Sequence, residues 1–70
     1  MIDMSKIIYE YVHGNNGPAS ELRSLGTEEE FEKEKEIRNE KGYGFFELYY
    51  SDVDLGEHTT RRELDEANDQ

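Results

Sequence analysis

The chain has no cysteine, no tryptophan and one proline, and only 8 Lys+Arg stand against 18 Asp+Glu in 70 residues. Each shortage excludes something. Without cysteine there is no disulfide framework and no thiolate metal centre. His13 and His58 are too few and too far apart in sequence for a histidine-based zinc site. No apolar run reaches the roughly 18 residues of a membrane helix. No secretory or lipidation signal is recognisable either, so a cytoplasmic protein is expected. The net charge of −10 disfavours direct binding to nucleic acid or an anionic membrane, which carry the same sign. It favours a basic partner.

Apolar residues make up 33% of the chain, close to the composition of disordered segments. They are not spread evenly. The aromatics and most aliphatics fall in two clusters, which predicts one small ordered domain over residues 1–70 with a fraying acidic C-terminus. So short a chain is marginal alone. With disulfides and metal excluded, a second copy is the natural supplement, and a homodimer is expected.

The fold class expected is α+β: a small antiparallel sheet with one main acidic helix and a short C-terminal helix. Residues 6–13 hold Ile7, Ile8, Tyr9, Tyr11 and Val12, β-branched or aromatic types that favour a strand; the spacing of Met4, Ile7, Ile8 and Tyr11 also fits a helix. As a strand, Ile7, Tyr9 and Tyr11 share one face, and Ile8, Glu10 and Val12 the other. HGNNGP, residues 13–18, is turn chemistry. In ASELRSLG, residues 19–26, the three-residue spacing of Leu22 and Leu25 predicts a short helical turn ended by Gly26. Residues 27–41 predict the surest helix: Thr27 and Glu30 form a capping box, Glu28 to Glu30 sit where the helix dipole favours anions, and Gly42 follows as the C-terminal stop. Only Phe31 and Ile37 are apolar there, so its grip on a core is weak. YGFFELYYSDVD supplies a second strand over residues 43–53 with two apolar faces. One face would be exposed in a monomer, and Phe45 and Tyr49 are the expected dimer-interface residues. Thr59 or Thr60 predicts the cap of the last helix, with Glu63 as the third helical residue if Thr60 is the cap.

The charge pattern carries the candidate site. Glu28, Glu32, Glu36 and Glu40 recur every four residues, forming one ridge with about 6 Å between steps. Like charges at this spacing are mildly destabilising, so the ridge calls for a reason. The helix carries roughly one carboxylate per 3 Å of axis, against a phosphate about every 3.4 Å along one strand of B-DNA. Lys33, Lys35, Arg38 and Lys41 temper it, and a merely solvated helix has the same composition. Beyond residue 42, Asp52, Asp54, Glu57, Glu63, Asp65 and Glu66 are further partner-binding candidates, with only Arg61 and Arg62 as cations.

Other chemistries fit poorly. Asp52, Asp54 and Glu63 match positions 1, 3 and 12 of a calcium loop, but Gly56 and Glu57 occupy positions 5 and 6, where a ligand and a glycine belong. HGNNG lacks the Lys and Ser/Thr of a phosphate-binding loop. No Ser–His or Cys–His arrangement is recognisable, and close carboxylate pairs are expected by chance at this acid content. Neither an enzyme nor a cofactor is implied. The aromatic run lacks the basic groove of a single-strand stacking platform.

In length, charge, the EEEFEKEKE helix and the SDVDLGEHTTRRELDEAND end, the chain resembles the small acidic proteins with which bacteriophages disable host DNA-binding proteins. The resemblance implies competition with DNA for a basic surface, in the host cytoplasm or nucleoid. A histone-like nucleoid protein of the HU type is the first expected partner, because its basic saddle is broad and not sequence-specific. The alternative is a non-enzymatic interaction module, an antitoxin or adaptor, that docks through the aromatic strand. A third is acidity that serves solvation at high salt.

Overall fold

The structure, a computed structural model, describes residues 6–12 and 17–69. Four strands and two helices follow in the order β1 (Ile7–Tyr11), β2 (Glu21–Gly26), α1 (Glu28–Lys41), β3 (Leu48–Ser51), β4 (His58–Thr60) and α2 (Arg61–Asn68). The strands form one antiparallel sheet in the order β3-β1-β2-β4. The α+β class is as the pattern predicts. Met4, residues 13–16 of the HGNNGP turn and the terminal Gln70 lie outside the described residues.

β1 is the central strand, and its alternation divides the molecule. Tyr9 points to one face and joins Leu22 and Leu64 in the core, with Ile7, Tyr11, Tyr49 and Leu55 around them. That face carries α2. Ile8 and Glu10, buried on the opposite face, lie under α1, whose Arg38 reaches Glu10. The layers are therefore α1, sheet, α2, with the thin apolar core concentrated on the α2 side.

Residues 19–26 do not form a helical turn; from Glu21 onward they are strand β2. The register explains the correction. Leu22 lies opposite Tyr11 on one side and Thr59 on the other, so it is fully buried between two neighbours. Gly26 ends the strand with φ +89°, where glycine is the least strained residue.

α1 begins at Thr27, whose backbone N–H donates to the Glu30 carboxylate at 2.9 Å, and stops at Gly42, left-handed with φ +79°. Phe31 is its one buried residue, and Ile37 is exposed, so the helix does grip weakly through apolar contacts.

The second strand is much shorter than residues 43–53. β3 spans Leu48–Ser51 alone. The preceding aromatic stretch leaves the sheet because Phe45 is drawn to α1: its ring centre lies 5.0 Å from that of Phe31, and the Arg38 guanidinium sits 4.3 Å above it. β4, a three-residue strand absent from the sequence expectation, runs directly into α2. There the expected cap forms: the Glu63 N–H donates to Thr60 Oγ1 at 3.1 Å, and the Thr60 N–H donates back to the Glu63 carboxylate at 3.3 Å. The Arg61 and Arg62 N–H groups donate to the carbonyls of Ser20 and Pro18, which satisfies further donors at this helix end.

Candidate functional site

Glu28, Glu32, Glu36 and Glu40 are all solvent-exposed on α1. Helical geometry sets them on a ridge that rises about 18 Å and winds about 120° around the helix. Among the described residues only Glu32 of the four has a cationic partner, Lys35 at 3.5 Å. The ridge is thus mostly uncompensated, although α1 itself carries four cations. Arg38, the strongest of these, is turned inward.

Arg38 fixes the helix to the sheet. Its two terminal nitrogens bond both oxygens of Glu10, at 2.8 and 2.9 Å. Its Nε donates to Glu34 at 3.0 Å, and the same guanidinium reaches the Gly44 carbonyl. Glu10 is only 4% exposed and also accepts from the Phe46 N–H at 3.1 Å. Burial pushes its carboxyl upward. The hydrogen bonds from Arg38 and Phe46, with the charges of Arg38 and Arg23, outweigh that and hold it below the ordinary glutamate range. The Glu10 hydrogen bond in turn raises the Arg38 pKa. No buried side-chain polar atom among the described residues lacks a partner. The sequence pattern places Glu10 on a strand face without a partner and Arg38 only among the cations that temper the ridge. The signal for their pairing was present: a carboxylate between Ile8 and Val12 on one strand face needs a cation to be buried.

The other predicted acids do not gather around the ridge. Asp52 is exposed and pairs with Lys6 at 2.9 Å. Asp54 accepts from the Gly56 N–H, and Glu57 is exposed in the same loop. Glu63 is occupied in the α2 cap and by the Thr59 hydroxyl. Asp65 lies 3.8 Å from Arg61, and Glu66 is exposed. Because α1 and α2 cover opposite faces of the sheet, their carboxylates form two separate acidic surfaces, joined at the rim by the 52–57 loop. Among the described residues no three acids or histidines converge to hold a metal ion, and Asp52, Asp54 and Glu63 each have separate work.

Of the two residues expected at a dimer interface, Phe45 packs on Phe31 and Arg38, and Tyr49 lies half-buried against the α2-side core. The exposed aromatics nearby are Tyr43, Phe46 and Tyr50, at 68%, 61% and 51%. No helix among the described residues is long and apolar enough to cross a membrane. No protein-family model, curated protein or solved structure matches the chain.

Proposed function

We propose that this protein is a non-enzymatic DNA mimic that binds a basic host DNA-binding protein and competes with DNA for it. A histone-like nucleoid protein of the HU type is the first candidate partner. The observation that supports this reading is the Glu28–Glu32–Glu36–Glu40 line, exposed and largely unpaired on a helix capped at both ends. Rigidity matters because a mimic must present charge in place before binding, without an ordering cost. The Glu10–Arg38 pair supplies it by tying α1 to the central strand.

The test is competition. A purified HU-type protein bound to a short duplex is challenged with increasing amounts of this chain on a native gel, at low and high salt. Release of DNA at low salt and its loss as salt rises is the expected result, since the contacts are between exposed charges. Reversal of Glu32 and Glu36 to Lys should weaken the displacement while leaving the circular dichroism spectrum unchanged. Protein–DNA complexes that persist at large excess of the chain would refute the proposal for that partner. A salt-insensitive interaction that survives the double reversal would move the contact away from the ridge.

A further inference from the structure

β3 is an edge strand, and its hydrogen-bonding parity is fixed. The Tyr11 N–H donates to the Glu47 carbonyl at 2.9 Å, and the register places Tyr9 opposite Tyr49 and Ile7 opposite Ser51. In an antiparallel ladder, bonded pairs alternate with non-bonded ones. Residues 47, 49 and 51 therefore face β1, while the N–H and C=O groups of Leu48 and Tyr50 point outward. The N–H groups that flank these are already used: Phe46, where the chain has left the sheet, donates to Glu10, and Asp52 donates to the Asn68 side chain at 2.8 Å. No described residue bonds the outward groups of Leu48 and Tyr50. What remains is a short open window, flanked by the exposed Tyr50 ring.

We propose that this window pairs with the same window of a second copy, Leu48 opposite Tyr50 and Tyr50 opposite Leu48 across a two-fold axis at Tyr49. The pairing itself goes beyond the mimic reading; only its consequence, a doubled acidic surface, rests on that reading. The register is self-complementary: four outward groups on each copy form four hydrogen bonds. Opposite side chains share a face in such a pair, so each Leu48 covers the Tyr50 ring of the other copy. Glu47 then lies opposite Ser51, so no two like charges are directly opposed across the window, which matters for a chain of net charge −10. The two-fold axis stands perpendicular to the sheet. Both α1 helices consequently lie on one face of an eight-stranded sheet, setting two glutamate ridges side by side.

Mass measured by light scattering at rising concentration, with amide exchange read residue by residue, tests the pairing. The expected result is a particle of twice the 8.2 kDa chain, with the Leu48 and Tyr50 amides protected about tenfold or more over their dilute rates. Tyr50→Pro removes an outward donor and no bond to β1, so it should yield a single chain with its sheet signal intact. Tyr50→Lys, a charge on the open edge, should do the same if the proline variant does not fold. A single-chain mass at the highest concentration, with both amides exchanging freely, overturns the pairing. So does a doubled mass that survives both substitutions. Amides protected only when a host protein is added overturn it too, and assign the edge to that partner. A single chain that still displaces DNA overturns the pairing and leaves the mimic reading standing. A doubled particle that displaces no DNA supports the pairing and defeats the mimic reading.

Discussion

Replacing Arg38 with Met should destabilise the fold more than any surface change can. The substitution keeps the side-chain length that packs over Phe45 and removes the bidentate partner of a carboxylate that is 4% exposed. Breaking a buried ion pair from one side costs about 3–5 kcal/mol. A chain of this length has a total stability of about 4–10 kcal/mol, so the variant should lose roughly half of it and unfold at a correspondingly lower urea concentration. Urea titration followed by far-ultraviolet circular dichroism, at fixed protein concentration, measures the loss. The companion Glu10→Met/Arg38→Met variant removes both charges. It leaves the Phe46 N–H, the Gly44 carbonyl and the half-exposed Glu34 carboxylate to find new partners, and should recover about 2 kcal/mol or more relative to the single variant. Acid should act on the same contact. Glu10 titrates below its ordinary value in the fold, so its contribution is present above the ordinary glutamate pKa of about 4.3 and is lost as pH falls through the folded value. The double variant should lose less stability over that acid range. An Arg38→Met protein within about 1 kcal/mol of the parent, the range of an exposed pair, would refute the assignment of this contact as the clamp on α1.

Two further substitutions report on local geometry. Tyr9→Phe deletes a hydroxyl that donates to the Gly56 carbonyl at 3.0 Å and accepts from the Leu55 N–H at 2.9 Å; a loss of about 1–3 kcal/mol is expected, with faster exchange of the Leu55 amide. Gly26→Ala places a Cβ at a positive φ and into the Glu30 carboxylate, the group that caps the Thr27 N–H, and should cost about 1–2 kcal/mol in urea titration while fraying the first turn of α1.

The two helices and the central strand were legible because their signals are local. Thr27 with Glu30 and Thr60 with Glu63 mark starts, Gly42 marks a stop, and IIYEY alternates. β2 was misread because Leu22 and Leu25 satisfy a helical spacing; only Tyr11 and Thr59, distant in sequence, decide for a strand. The 43–53 run reads as one strand because aromatics favour strands, yet Phe45 finds Phe31 and Arg38 instead. β4 has three residues and no pattern of its own. The exposed ridge on α1 was readable, since exposure follows from a helix with two apolar residues. The division of the remaining acids between two faces was not, because it depends on the sheet passing between the helices. Glu10 was visible only as a misplaced charge.

That division has a consequence for valency. A binding partner that reaches one face of a single chain leaves the carboxylates of the other face in solvent, free to recruit a second partner molecule. A partner with two arms can instead close around the rim and engage both. The first arrangement cross-links and would turn a basic protein turbid near charge equivalence; the second gives discrete particles of fixed composition. Titrating the two components and watching for a turbidity maximum reads which one the molecule adopts.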